Sequence, residues 1–180
     1  MNYKALAAAA LTVAATGAWA QSDMSMATNN SYLEIGYMQL DVKGEGLEAK
    51  PSLVRINAGA DVASNLAVEG ILALSASEDS PTFNGQPTAA SVKVNNMFGL
   101  YLKPHVNVTD NFEVFGRLGY INTKASISAL GVNLSDKADG KSYGLGASLK
   151  LTKSASLTGD YMVYDDSDTN ALTMGLRYNF

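Results

Sequence analysis

Hydrophobic and polar residues alternate one by one along most of the chain. In the last segment, Leu172, Met174 and Leu176 share one face, whereas Thr173 and Arg177 share the other. A period of two is typical of a β-strand, whose successive side chains point to opposite sides of the sheet. Eight segments show this pattern, at residues 32–40, 53–61, 66–74, 92–103, 112–121, 142–151, 156–164 and 171–180.

The length of these segments indicates strands that cross a membrane. Roughly nine to eleven residues are enough for a tilted strand to span a bilayer. Beyond the N-terminal region, no run of about 18 or more apolar residues predicts a spanning helix. The competing interpretation is a secreted β-sandwich, which also alternates because each of its sheets buries one face.

The connectors favour the barrel over the sandwich. Short turns at one end and long loops at the other are the pattern of outer-membrane barrels. The longer connectors alternate with the shorter ones: 41–52, 75–91, 122–141 and 165–170 on one side, and 62–65, 104–111 and 152–155 on the other. We therefore predict an all-β fold, an eight-stranded antiparallel up-and-down transmembrane β-barrel over residues 32–180.

Aromatic residues near the segment ends agree with a membrane position. Phe112 and Phe180 fall on the turn side, and Tyr120 and Tyr143 fall on the loop side. Aromatic girdles are common where a barrel meets the two water interfaces.

The N-terminus has the pattern of a secretory signal peptide. Lys4 precedes an uncharged, Ala-rich run, and Ala18 and Ala20 provide the small residues of a cleavage site. We predict a signal peptide at 1–20, a flexible periplasmic tail at 21–31, and a mature part of 160 residues.

Composition excludes several kinds of site and partner. The chain has no cysteine, so disulfides, thiol catalysis and thiolate metal sites are excluded. Without Lys4, 12 basic residues stand against 17 acidic ones. Since no Lys/Arg cluster is present, we expect no nucleic-acid partner, and nothing in the sequence indicates a cofactor.

The inward faces of the predicted strands carry charges of both signs. An eight-stranded barrel has an interior that side chains can just fill, and an unpaired charge there would be costly. We therefore interpret these residues as an ion-pair network that plugs the lumen. Its members are Glu34, Arg55, Glu69, Lys93, Glu113, Arg117, Asp160 and Arg177. Glu34 and Arg177 are the leading pair, because the first and last strands must meet at closure.

Two alternatives to a plugged lumen stay open. Some of the charges, among them Lys93, Lys103 and Lys150, could simply face water at the barrel mouths. The inward glycines could leave room for Tyr101, Phe115 and long charged side chains, or they could widen a water path.

No residue set points to catalysis. The chain has a single histidine, His105, which falls in the connector 104–111 with Asp110 as the nearest acid in sequence. A hydrolase needs a base, a nucleophile and an orienting acid within hydrogen-bond reach. We expect His105 to be a structural or exposed turn residue.

Two loops offer weaker possibilities. Asp165, Asp166 and Asp168 could attract a divalent cation, but they lack the spacing of a dedicated calcium loop, so we expect a solvated acidic turn and no metal site. The loop 122–141 contains apolar residues that could mark a partner surface or extend strands five and six into a hairpin. These residues are Ile127, Leu130, Val132 and Leu134.

Two motifs resemble a known family. The chain ends on Phe180 with Tyr178 on the same face, which resembles the C-terminal signal of outer-membrane barrel proteins. The stretch Val-Phe-Gly-Arg-Leu-Gly-Tyr at 114–120 resembles the mid-barrel segment of the OmpA-like and OmpX-like small barrels of the porin family. The resemblance covers roughly residues 31–180. Since nothing follows the barrel, the peptidoglycan-binding domain of longer members is not expected.

The resemblance implies location and partners. It implies an outer-membrane protein that contacts membrane lipid and lipopolysaccharide and is inserted by the barrel-assembly machinery, with Tyr178 and Phe180 as its assembly signal. We favour a structural or surface-interaction protein that acts through its extracellular loops on an extracellular partner. A narrow porin-like passage for small solutes is the second possibility, and a lipid-modifying enzyme is a remote third.

Overall fold

The computed structural model describes residues 31–44, 47–77, 80, 82–83, 86–87, 90–129, 132–165 and 169–180. No helix among them is long and apolar enough to cross a membrane. The predicted signal peptide and all of the predicted tail except Ser31 lie outside the described residues. The described residues form the strands β1 Ser31–Gly44, β2 Leu47–Ala49, β3 Ser52–Ala63, β4 Leu66–Ser77, β5 Thr82–Phe83, β6 Gln86–Pro87, β7 Ala90–Asn107, β8 Phe112–Ala129, β9 Val132–Lys150, β10 Ala155–Tyr164 and β11 Thr169–Asn179.

Eight of these strands close into a barrel. Each is antiparallel to its neighbour in the order β1-β3-β4-β7-β8-β9-β10-β11. The pairing of β1 with β11, from Tyr32 opposite Asn179 to Val42 opposite Thr169, joins the two ends of the sheet. A closed sheet leaves no backbone edge unpaired, which is what lipid requires. The predicted eight-stranded antiparallel barrel is confirmed.

On the side of the long loops, the strands continue beyond the predicted segments. β8 and β9 pair without interruption from Phe112 opposite Leu149 to Ala129 opposite Val132. Residues 122–129 and 132–141 therefore extend the two strands as a hairpin, one of the two alternatives given for this segment, because the paired strands keep satisfying each other's backbone groups there. The side chains of residues 127–136 lie outside the described part, so a partner surface there stays a prediction. The short strands β2, β5 and β6 extend the sheet outside the ring.

The outward positions of the barrel form an apolar belt. Leu145 is 72% exposed, Leu176 54% and Leu100 52%. A contiguous surface of this kind is rare on soluble proteins. It is the surface that a bilayer covers with lipid tails.

A β-bulge in β7 changes which residues face inward. The pairing with β8 skips one residue between Val94 and Asn96, and one extra residue moves the following side chains to the opposite face. Val94, expected on the outer face, is buried inside the barrel, and Lys93, expected inside, is only half-buried. The alternation cannot reveal such an insertion, so both orientations differ from the prediction.

Inward glycines make room for aromatic rings. A Cβ atom at Gly119 would lie 2.5 Å from Cδ1 of Tyr101, and one at Gly146 would lie 2.5 Å from Cε2 of Phe115. These separations are shorter than a Cβ atom tolerates, so each ring occupies the space of a missing side chain. At these positions the aromatic rings fill the room that the glycines leave, so the glycines do not widen a water path.

Candidate functional site

The interior of the barrel has three layers, because the inward residues of each strand change in character along its length. At the short-turn end lies a basin, which we call the mouth basin. The charge cluster follows, comprising Glu34, Arg55, Glu69, Lys103, Glu113, Arg117, Asp160 and Arg177. Towards the long loops lies the apolar block, comprising Met38, Leu40, Leu53, Ile71, Ala73, Val94, Met97, Tyr101, Ile121, Met162, Tyr164 and Ala171.

Arg117 is the centre of the charge cluster and is fully buried. Its Nε lies 2.6 Å from Oε2 of Glu69, and its Nη1 lies 2.6 Å from Oδ2 of Asp160. Its Nη2 lies 3.4 Å from Oε1 of Glu34. Arg117 is on β8 and Glu34 is on β1, which are diametrically opposite in the ring of eight. This contact therefore crosses the whole lumen.

Arg55 makes a second crossing, from β3 to β10. Its Nη1 donates a hydrogen bond of 2.8 Å to Oδ1 of Asp160, and its Nη2 contacts the other oxygen of the same carboxylate. The Nη2 also lies 3.0 Å from Oε1 of Glu34, which accepts a further hydrogen bond of 2.9 Å from Nδ2 of Asn57. Bidentate guanidinium–carboxylate contacts are among the strongest hydrogen bonds in proteins.

Aromatic residues complete the lower edge of the charge cluster. Nζ of Lys103 lies 2.9 Å from Oε1 of Glu113 and 4.5 Å from the centre of the Phe115 ring. Nη1 of Arg177 lies 2.9 Å from the same Glu113 oxygen, and its guanidinium carbon lies 4.7 Å from the centre of the Tyr32 ring. Cations over aromatic faces gain a further electrostatic attraction when they are desolvated.

The first and last strands bring together the leading predicted pair. Glu34 lies directly opposite Arg177 in the ladder of β1 and β11, and Oε2 of Glu34 lies 3.5 Å from Nε of Arg177. The two residues belong to the seam where the barrel closes.

The charge cluster is electrically balanced, with four basic and four acidic side chains. Burying an ion pair is costly, and such pairs are kept only where each charge has close, hydrogen-bonded partners. Removing one member leaves its partners buried without compensation, which costs about 3–5 kcal/mol. The eight residues therefore act as one unit.

The apolar block closes the lumen above the charges. Met38, Leu53 and Met162 are each at most 1% exposed. The hydroxyl groups of Tyr101 and Ser142 hydrogen-bond to each other at 2.5 Å at the side of this layer. Since packed apolar side chains offer few hydrogen-bond partners to water, this layer separates the charge cluster from the long-loop side.

The structure brings seven of the eight predicted network residues into the charge cluster. Lys93 is the exception, because the bulge in β7 turns it away. Lys103, for which exposure at a mouth was the alternative, is 1% exposed and takes part in the cluster. Lys150, with the same alternative, is exposed.

His105 lies in β7, whereas a turn was expected from the sequence. The ladder with β8 is interrupted at Pro104, between Leu102 opposite Leu118 and His105 opposite Phe115, but the strand then resumes. The His105 ring lies 3.4 Å from a carboxylate oxygen of Asp61 and 3.4 Å from one of Glu113. Asp110, the acid nearest in sequence, is exposed in the following turn.

The acidic turn after β10 is only partly described. Asp165 is exposed, whereas Asp166 and Asp168 lie outside the described residues, so a solvated turn stays a prediction. Within the described ranges, no group of three histidine, aspartate or glutamate residues could hold a metal ion.

The apolar block was not recognised in the sequence, although a signal for it exists. In the loop-side half of several strands the alternation fades, because both faces are apolar. Examples are the runs Ile71–Leu74 and Leu53–Val54, of which Ile71 and Leu53 face inward. Strands buried on both faces are expected to read this way.

A closed ring, an apolar belt and a filled interior define a small integral membrane β-barrel. The family model of the outer membrane protein β-barrel domain matches residues 6–180. The chain belongs to this family, and it is an outer-membrane protein. A comparison with curated proteins found no match.

Solved structures of small outer-membrane barrels share the fold. OprG from Pseudomonas aeruginosa matches with a TM-score of 0.66 and 15% identity over 88% of this chain and 99% of the other. Neisserial surface protein A (NspA) matches with a TM-score of 0.64 and 15% identity over 83% and 97%. Ail, the attachment invasion locus protein of Yersinia pestis, matches with a TM-score of 0.61 and 19% identity over 84% and 99%.

Proposed function

We propose that this protein is a barrel with a closed lumen that acts as a structural and surface-interaction protein through its long-loop side. The observation that carries the proposal is the contact of Arg117 with Glu34, which joins opposite walls of the barrel at its middle. The apolar block closes the same path a second time.

Conduction would require both closures to open. Arg117 is held by three carboxylates on three different strands, and Arg55 by two of the same carboxylates. Parting them would separate several buried ion pairs at once, and each broken pair is costly. A water-filled passage is therefore the less favoured function.

The surface that would meet a partner is the raised sheet of β7, β8 and β9 with the loops around it. The long-loop segments 41–51, 75–93, 122–141 and 165–170 are acidic overall. Their acidic residues are Asp41, Glu45, Glu48, Glu78, Asp79, Asp136, Asp139, Asp165, Asp166 and Asp168, and their basic residues are Lys43, Lys50, Lys93, Lys124, Lys137 and Lys141.

The net negative charge of the long-loop segments favours some partners over others. Ail was solved in complex with a heparin analogue, sucrose octasulfate. An acidic surface repels such a polyanion, so we propose a neutral or basic partner for this chain. At physiological salt, labelled heparin should bind proteoliposomes no better than protein-free liposomes, and saturable heparin binding would contradict the choice of partner.

The remaining partners are proposed from the surface of the barrel. The apolar belt would contact membrane lipid and the acyl chains of lipopolysaccharide. Tyr178 and Phe180 are 58% and 67% exposed on the outer face, where the assembly machinery could reach them. We propose no catalytic role, because the His105 ring lies beside the carboxylates of Asp61 and Glu113 and makes no hydrogen bond to a hydroxyl group among the described residues.

Liposome swelling tests the proposal. Proteoliposomes with the refolded protein should swell in small sugars and amino acids no faster than protein-free liposomes. As a positive control, a general porin in the same lipid should give fast swelling. Solute-dependent swelling with the pure protein would favour the passage.

A further inference from the structure

The mouth basin is the third layer of the interior, and the charge-cluster residues Lys103, Glu113 and Arg177 form part of its wall. It is a cavity of about 240 Å³ at the short-turn end, below the charge cluster. Its charged lining comprises Lys103, Lys150, Lys153 and Arg177 against Asp61 and Glu113, with His105 among them. The lining is therefore positive, although the loops at the other end are acidic.

The acidic residues of the basin are already occupied. Oε1 of Glu113 lies 2.9 Å from both Nζ of Lys103 and Nη1 of Arg177. Asp61 faces His105 at 3.4 Å. Among the described residues, Lys150 and Lys153 have no carboxylate within ion-pair distance, so their charges are not compensated from within the protein.

Buried nitrogen atoms beside the basin lack partners. Nη2 of Arg177, a residue only 5% exposed, donates no hydrogen bond to any described residue. Neither ring nitrogen of His105 makes a hydrogen bond to a described residue, although each lies 3.4 Å from a carboxylate oxygen. An unsatisfied buried donor is costly, and a guanidinium group costs more than a neutral one. A group that brings acceptor oxygen atoms into the basin would remove this cost.

We propose that the mouth basin is a binding site for a phosphate-type oxyanion. The Arg177 side chain lines the basin, and its guanidinium would turn the buried Nη2 towards the oxyanion. Lys150 and Lys153 would hold the oxyanion from the rim, since guanidinium and ammonium groups are the usual partners of phosphate oxygens. A cavity of about 240 Å³ has room for several water-sized groups and thus for one phosphoryl group. The oxyanion is either free in solution or the headgroup of an anionic lipid.

The test is a phosphate titration of the refolded protein in an uncharged detergent, at constant ionic strength against chloride. The signals of the Arg177 guanidinium and the His105 ring are followed by NMR. Saturable shifts with phosphate and none with chloride are expected.

Two matched double variants locate the site. Lys150→Gln with Lys153→Gln removes two exposed charges at the basin rim. Lys124→Gln with Lys141→Gln removes two exposed charges at the opposite end. The rim variant should bind phosphate roughly fivefold to tenfold more weakly, and the control variant should bind like the wild type. Both variants leave the charge cluster intact, so we expect both to fold. The gel migration of unboiled samples checks this.

Nanodiscs distinguish the two sources of the oxyanion. The comparison is made at a salt concentration that screens the membrane surface charge. If an anionic lipid headgroup fills the site, phosphate then binds more weakly in discs with phosphatidylglycerol than in discs of phosphatidylcholine, whereas a free anion binds equally in both. Absence of saturable shifts in detergent and in phosphatidylcholine discs overturns the proposal. An equal loss of affinity in both double variants overturns it as well, because the effect would then be one of net charge.

Discussion

Replacing Arg117 by methionine should destabilise the barrel more than any exposed charge substitution. The change keeps most of the side-chain volume but leaves Glu69, Asp160 and Glu34 with one buried cation fewer. Because Arg117 is fully buried and its closest contacts are two carboxylates at 2.6 Å, we expect the free energy of unfolding to fall by about 3–5 kcal/mol.

The assay is the urea dependence of the folded fraction, read from the different gel migration of folded and unfolded barrel in unboiled samples. Lys124→Met on the same strand is the matched control, since Lys124 is exposed, and it should change stability by less than about 0.5 kcal/mol.

A double-mutant cycle separates the ion pair from packing. If Glu69→Gln is added to Arg117→Met, one of the carboxylates that lost its cation is neutralised. The double variant should then be more stable than the sum of the two single effects, with a coupling of about 0.5–3 kcal/mol. If Arg117→Met were as stable as Lys124→Met, or if the cycle showed no coupling, the charge cluster would not hold the barrel together.

Three further substitutions test the packing of the lumen, the lipid-facing belt and the apolar block. Gly119→Ala places a Cβ against the backbone oxygen of Leu100 and 2.5 Å from Cδ1 of Tyr101, and should cost about 1–3 kcal/mol in the urea titration. Gly116→Ala, whose Cβ would meet nothing closer than 3.5 Å, should be tolerated. Equal effects would show that position 119 has room for a side chain. Leu145→Arg puts a charge on the lipid face and should cost about 2–4 kcal/mol if the residue lies near the bilayer midplane, while Leu145→Ala should cost less; a tolerated arginine would argue against the lipid-facing belt. Leu53→Ala opens the apolar block and should cost about 2–5 kcal/mol, yet liposomes with this variant should not swell, because the charge cluster still closes the lumen; swelling would place the barrier in the apolar block alone.

The barrel itself could be predicted because its main signals are local. Alternation, segment length and connector length are each read along the chain, and together they gave eight strands and their order. Even the facing of Glu34 and Arg177 follows from the closure of the first strand on the last. What the alternation could not reveal is the bulge at Val94 and Asn96, since a single inserted residue leaves no mark in the hydrophobic pattern.

The pairing across the lumen could not be predicted for a different reason. Which carboxylate meets Arg117 depends on the stagger of strands that are distant in sequence and in the ring. The sequence shows which charges point inward, but their heights follow only from the register. Lys103 illustrates this: its inward position was recognised, while its burial against Glu113 and Phe115 depends on the relative heights of β7 and β8.

The mouth basin was hidden for a related reason. His105 follows a proline and was expected in a turn, so neither its strand position nor its place beside Asp61 could be seen. Lys150 ends β9 and Lys153 lies in the turn before β10, and both line the same cavity as Arg177 only because β9, β10 and β11 are adjacent in the ring.

The measurement that tests the closed lumen most directly is the conductance of the refolded protein in a planar bilayer, recorded beside Arg117→Met. The expected result is a folded wild-type barrel without steady ion current, and no steady current in the variant either, because the apolar block still closes the lumen. Steady, salt-dependent openings in the wild type would contradict the account, because ions could not then be excluded by the charge cluster and the apolar block.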